Sequence, residues 1–373
     1  MNNSGRPYTY IKTVLLILTV TFMSCKVTRF VVYNFADIKD YKKFPSRTLH
    51  NESQQFSFHK DSTNKVPEKI INEHQVEVSF DEYLEKNKTV AFLLIQNDTI
   101  KCEKYFKGYD QTSIVPSFSM AKSVTSILIG CALDDDLIKS EQEPITNYLP
   151  ELKNKGFEKV TIKHVLQMTS GLKFNEGYTN PFGDVATFYY GTNLRKAISK
   201  MSLKREPGLQ FEYVSGNTQL LGLILERALK TKTVSQYFQE KLWQPLGMEY
   251  DASWSIDRKK NGLEKTFCCI NARARDFAKI GRLYLNKGMW NKQQIVSKNW
   301  VLESTTVNTK NGSSWYYQNQ WWLPNKSGDF MAAGILGQYI YVNPAKNMII
   351  VRLGKSKGNA DWEKLFTNLA KNY

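Results

Sequence analysis

Histidine is scarce in this chain, with four in 373 residues, and none of the five cysteines forms a Cys-x-x-Cys pair. That supply builds no zinc-ligand spacing, so neither a metal nor a cofactor is expected. Gly-x-Ser-x-Gly is absent too. A Ser-His-Asp hydrolase would have to rely on His164 alone in the central region, which makes it the weaker enzyme alternative. Apolar runs of membrane-spanning length are also missing. The N-terminal run Val14–Met23 has ten residues, where a spanning helix needs about 20.

What is present is enough for a folded core. Hydrophobic residues make up 42% of the chain, including 20 Phe, 20 Tyr and 8 Trp, which excludes general disorder and allows one large two-part domain. The formal charge is +16, yet the Lys and Arg residues are scattered and no basic helix carries an aromatic-stacking pattern. A nucleic-acid partner is therefore not expected. A solvated basic surface that tolerates anionic surroundings accounts for the charge.

The N-terminus has the layout of a secretion signal. Arg6 and Lys12 precede Val14–Met23, and Ser24-Cys25 follows. The stretch resembles a bacterial lipoprotein signal in which Cys25 would be cleaved free and lipidated, although Phe22 departs from the usual aliphatic residue. An uncleaved anchor is the second reading and a structural helix the third. The first two place the protein in the bacterial cell envelope, attached to the membrane and facing outside the cytoplasm. Cys102 and Cys131 sit in apolar surroundings and read as buried thiols. The adjacency of Cys268 and Cys269 argues against a bond between them.

Three regions follow: a signal over 1–25, a partly ordered leader over 26–75, and a globular domain over 76–373. Val90–Gln96 and Ile100–Phe106 flank Asn97-Asp98-Thr99 and predict a hairpin. Gln338–Asn343 and Asn347–Leu353 predict a second one. A helix capped by Asp361 ends the chain, and helices are expected over Asn217–Leu229 and Ala274–Asn286. Strands at both ends with helices between them predict an α+β fold. Its antiparallel sheet would be flanked by N- and C-terminal helices and would carry a mostly helical insertion over about 131–300.

Ser-x-x-Lys occurs at Ser57, Ser62, Ser119 and Ser170. Only Ser119 opens an amphipathic helix directly after a turn. On a helix, Ser119 and Lys122 share a face with about 5–6 Å between Cβ atoms. The chemistry needs this arrangement, because a serine hydroxyl attacks only once a base takes its proton, and a desolvated lysine can be that base. A serine in the first turn also turns its own N–H toward the site, where it can stabilise an oxyanion.

Ser119-Met-Ala-Lys122, Thr161–Leu172, Pro207–Gly222, Trp243–Met248 and Ala272–Asp276 together resemble the serine β-lactamase and penicillin-binding superfamily. The likeness runs from about 90 to 355, and the nearest look is to the branch holding 6-aminohexanoate-dimer hydrolase and class C-like esterases. It implies a serine hydrolase that cleaves a small-molecule ester or amide through an acyl-enzyme on Ser119. Lys122 would be the base and Tyr213 the proton shuttle, its phenolate favoured by the neighbouring ammonium. Ser215 stands where the family usually has asparagine, with Asn217 two residues on as a further substrate-binding candidate. The third motif aligns with Ile335-Leu336-Gly337. This gives Gly337 the close backbone approach and Gln338 the second oxyanion N–H, and it puts Ile335 where relatives carry a basic residue. The aromatic run Trp315–Trp322 is a candidate pocket wall or a packing element. A D-alanyl-D-alanine carboxypeptidase, a β-lactamase and a catalytically silent envelope-binding protein remain as alternatives.

Overall fold

Asn97 and Asp98 both take left-handed backbone angles, φ 50° and 57°, which is what a two-residue turn between twisted strands requires. They join Thr89–Gln96 to Thr99–Tyr105, the expected first hairpin. In the computed structural model, which describes residues 26–372 except 34, 53, 62–66 and 73, this hairpin lies inside an eight-stranded sheet. The second hairpin, Gln338–Asn343 with Met348–Gly354, pairs against it through Met348–Gly354 and Thr89–Gln96. All strands of the sheet are antiparallel to their neighbours except His59–Lys60, which runs parallel to Thr99–Ile100 at one edge.

The central strands are buried along nearly their whole length because both faces of the sheet are covered. Phe92, Leu94, Met348 and Ile350 pack with Trp362 and Phe366 of the terminal helix Trp362–Asn372 and with Phe80 of the helix Phe80–Lys86. The alternate residues Leu93, Ile95, Ile349 and Val351 face the larger core, where the helix Ala274–Leu285 lies against the sheet. Gly281 on that helix permits the contact, since a Cβ there would come within 2.9 Å of Ile340 and Ile349. Asp361 caps the terminal helix by accepting from the Lys364 amide at 3.1 Å. The α+β architecture with flanking helices is thus the one expected.

Two boundaries differ from the sequence reading. The segment taken as a leader over 26–75 is packed into the fold, with Phe30, Tyr33 and Ala36 against the core and Ile38 inside it. Phe44, Leu49 and Phe58 are core residues, and Ser46–Leu49 pairs with Ala252–Ser255 in a second, four-stranded sheet. Strands of two to four residues are too short to show a period, so the sequence pattern looked irregular. The region 131–300 does hold the helices Ser215–Leu229 and Ala274–Leu285, but it also supplies Ala252–Ser255 and Ile270–Ala272 to that sheet. Cys25 and Ser62 lie outside the described residues. Among those described, no helix is long and apolar enough to cross a membrane.

Candidate active site

The second sheet delivers the serine. Val115–Pro116 pairs with Asn271 and Ala272, and Ser117 continues the contact by donating its amide to the Ile270 carbonyl at 2.7 Å. Phe118 then takes φ 43°, a sparsely populated conformation for a bulky side chain, and the chain reverses into the helix Met120–Asp134. Ser119 stands at the N-cap of that helix and keeps part of its surface exposed. The helix itself is buried from Met120 to Ala132, so Lys122, one turn on, is only 1% exposed.

Lys122 Nζ lies 3.0 Å from Ser119 Oγ, 3.1 Å from Ser215 Oγ and 3.0 Å from the Phe267 carbonyl oxygen. Burial disfavours the ammonium and brings the lysine pKa down to about 8, against an opposing pull from the Glu176 carboxylate. A neutral amine in this position can donate to Ser215 and Phe267 and accept from Ser119, the orientation that proton removal requires.

Tyr213 completes the cluster. Ser119 eases ionisation of its phenol, and its ring centroid is 5.0 Å from Lys122 Nζ. Tyr317 and Trp322 hold that ring at centroid distances of 5.7 and 5.3 Å. The aromatic run therefore braces the tyrosine, while Trp321 stacks on Tyr284 in the core. The phenolate expected from the sequence is corrected here. Crowding by the protein raises the phenol pKa well above its ordinary value, Ser119 opposes this only in part, and Glu176 raises it further. Tyr213 is a phenol, and so a proton donor.

Glu176 was not foreseen. Its two carboxylate oxygens accept from the Ser215 amide at 2.7 Å and the Ser215 hydroxyl at 2.6 Å, and one also accepts from Tyr178 at 2.9 Å. Ser215 is thus fixed with its oxygen toward Lys122. A glutamate in a loop, 39 residues before its partner, carries no local signature.

Other assignments move. Asn217 is fully buried, accepts from Ser170 Oγ at 2.6 Å and donates to Met168 Sδ, so it braces a loop rather than the site. Ser170 is consumed by the same bond, and Ser57 is exposed on the surface. His164 closes a capping box with Thr161. The glycine that abuts the nucleophile is Gly334, not Gly337. A Cβ on Gly334 would lie 2.6 Å from the Ser117 carbonyl and 3.1 Å from the Ser119 amide nitrogen, whereas one on Gly337 would strike the Arg352 guanidinium. Gln338 is a strand residue whose side chain bonds both backbone groups of Gly354. Two glycines three apart cannot be ranked from sequence, and only the register of Gly334 opposite Gln338 separates them. Ile335 lines the cavity above Ser119, as does Ser215.

Cys268 and Cys269 are disulfide-bonded to each other, contrary to expectation. Cys269 adopts φ 73°, which lets neighbouring side chains turn toward one another. Cys102 and Cys131 are free and buried. Among the described residues no group of His, Cys, Asp or Glu is placed to hold a metal.

The Beta-lactamase family pattern matches residues 79–372. The chain belongs to the β-lactamase family. Within that family it is 28% identical over 294 residues to 6-aminohexanoate-dimer hydrolase of Paenarthrobacter ureafaciens, covering 72% of this chain and 73% of that one. A Bacillus anthracis structure described as a candidate 6-aminohexanoate-dimer hydrolase superposes with TM-score 0.79 at 24% identity, over 92% and 93% of the two chains. A family VIII carboxylesterase follows at TM-score 0.60 and 16% identity, over 79% and 95%. These β-lactamase-family relatives share the serine hydrolase fold.

Proposed function

We propose that this protein is a serine hydrolase that cleaves neutral esters or amides through an acyl-enzyme on Ser119. The observation that carries the reading is Lys122 Nζ, buried and 3.0 Å from Ser119 Oγ. Neutral Lys122 takes the hydroxyl proton as Oγ attacks the substrate carbonyl. The oxyanion that forms is met by the Ser119 amide and by that of Ile335, the residue after Gly334. The Tyr213 phenol gives its proton to the departing alkoxide or amine, and the Lys122 ammonium restores it. Water then enters, and the same groups work in reverse to release the acid.

The substrate preference follows from Ile335. An aliphatic side chain offers no donor to a carboxylate. A hydrogen bond to a charged group contributes about 1.5–3 kcal/mol, roughly 10–150-fold in rate or affinity. The +16 charge is diffuse and screened by salt, so it does not replace a positioned cation. Short esters should therefore react faster than penicillins or cephalosporins, which disfavours the β-lactamase and D-alanyl-D-alanine carboxypeptidase readings. The deciding experiment is labelling by a fluorophosphonate probe. Wild type should be labelled and Ser119→Ala should not, with its thermal melt nearly unchanged. Labelling that persists in Ser119→Ala would place the nucleophile elsewhere. A chromogenic cephalosporin turned over faster than a p-nitrophenyl ester would reject the substrate class, and Ile335→Lys should narrow the gap between them.

We also propose that Cys25 is the lipidated first residue of the mature protein, on the strength of the short apolar run ending at Ser24-Cys25. Mass spectrometry of membrane-extracted protein should find nothing before Cys25. A mature chain that retains Met1–Ser24 would make the run an uncleaved anchor instead.

A further inference from the structure

The cavity above Ser119 encloses about 270 Å³, and two of its walls lie close to the nucleophile's own surroundings: the hairpin turn at Ile335 and Leu336, and the helix Asp184–Tyr190. A third does not. Phe35 and Ala36, more than 80 residues upstream of the nucleophile, line the same cavity. The N-terminal segment is held there by several independent contacts. Phe30 packs edge-on to Tyr190 at 5.2 Å between centroids, and Phe44 packs on Tyr189 at 5.1 Å. Buried Asp40 accepts from Tyr189 OH at 2.8 Å and pairs with Lys43 at 2.7 Å. Lys43 in turn donates to the Tyr33 carbonyl at 2.9 Å.

None of the side chains lining this cavity is charged. Its polar side chains are those of Ser119, Ser215 and the tyrosines. A carboxylate or ammonium entering it would lose its hydration with no oppositely charged side chain on the wall, whereas an alkyl group would gain about 25 cal/mol for each Å² removed from water. Phe35 is 56% exposed, an aromatic kept at the rim where an incoming chain would pass.

We infer that the N-terminal segment is a specificity element: Phe35 and Ala36 complete a hydrocarbon pocket that selects neutral esters or amides bearing an alkyl group next to the scissile bond. The inference rests on the hydrolase reading and adds the substrate class and the residues that set it. Each methylene buried in such a pocket contributes roughly fourfold in kcat/KM, until the pocket is full. A volume of about 270 Å³ corresponds to roughly nine waters' worth of space, so selectivity should peak at a medium-length chain.

The test uses full-length protein and two substrate series, p-nitrophenyl esters of straight-chain acids from acetyl to decanoyl and acetate esters of straight-chain alcohols. Wild type should prefer a medium chain over the shortest by at least about tenfold in one of the two series. Ala36→Trp, which fills the pocket, should move the optimum to shorter chains and lower the long-to-short ratio about tenfold. Phe35→Asp, at an exposed position that tolerates a charge, should lower the same ratio about three- to tenfold with an unchanged melt. Flat chain-length profiles in both series for wild type would overturn the inference, as would ratios in both variants that match wild type. Wild type that no fluorophosphonate labels would instead sink the hydrolase reading, and the inference with it.

Discussion

Among the described residues three lysines are buried; Lys279 is ion-paired with Asp276, and the other two, which have no carboxylate within ion-pair distance, do opposite things. Lys122 is 1% exposed and brought down to about 8, and Lys265 is 1% exposed and brought down to about 7, in both cases first by burial. Both donate to backbone carbonyls. Lys265 reaches those of Phe188 and Tyr189 and lies 4.7 Å from the centroid of the Phe44 ring. It thereby ties the N-terminal segment to the helix Asp184–Tyr190. Lys122 spends one contact on a carbonyl and two on hydroxyls, and one of those hydroxyls is solvent-accessible and aimed into a cavity. A depressed lysine pKa therefore marks burial, and what the nitrogen touches decides whether burial becomes chemistry.

Substitutions should separate the two. Lys122→Ala should lower kcat by about 10²–10⁴-fold, the scale of a general base, in an ester assay. Lys265→Met should leave kcat nearly unchanged and instead lower the melting temperature, because two buried carbonyls lose their donor at a cost of about 1–3 kcal/mol. Equal kcat losses in both would erase the distinction. Tyr213→Phe should fall within the same 10²–10⁴ range for alkyl esters and lose less for p-nitrophenyl esters, whose leaving group needs no proton. Equal losses for both ester types would take the acid role away from Tyr213.

The pH dependence sharpens the comparison. In the proposed mechanism Lys122 acts as the neutral amine, so kcat/KM should rise with pH and level off above about 8. Lys265→Met should show the same rising limb. Stability carries a matching sign. Both lysines are protonated in the unfolded chain up to about 10.4 but lose the proton near 8 and 7 when folded. The unfolded state therefore binds more protons between those values, and stability rises with pH across that window. Thermal melts between pH 7 and 9.5 should show a shallower rise in Lys265→Met. The smallest effect is expected from Glu176→Gln. Removing the carboxylate that favours the Lys122 ammonium should move the kcat/KM limb to lower pH. A limb that stays in place or moves upward would show that Glu176 acts on Lys122 only through Ser215.

Much of the frame was legible in the sequence. Asn97-Asp98 predicted a hairpin because few residues accept left-handed angles cheaply, and Ser119 with Lys122 predicted a shared helix face because helical periodicity is local. Glu176, the Ser170–Asn217 bond and the choice of Gly334 over Gly337 were not legible. Each depends on which distant segments meet, and none leaves a periodic trace. The packed segment from Ile38 to Phe58 was missed for a related reason. Its strands are too short to alternate visibly, and its burial comes from partners some 200 residues away, such as Ala252–Ser255.

The sequence alone determined the elements whose physics is local: helix spacing, turn chemistry and the identity of the side chains that can carry a proton. Tertiary structure decided their protonation. Lys122 is brought within reach of a base's pKa because the surrounding core removes its water, and Tyr213 is held as a phenol because the same crowding outweighs the Ser119 interaction. Desolvation is a property of everything packed around a group, and residues distant in the chain contribute most of it.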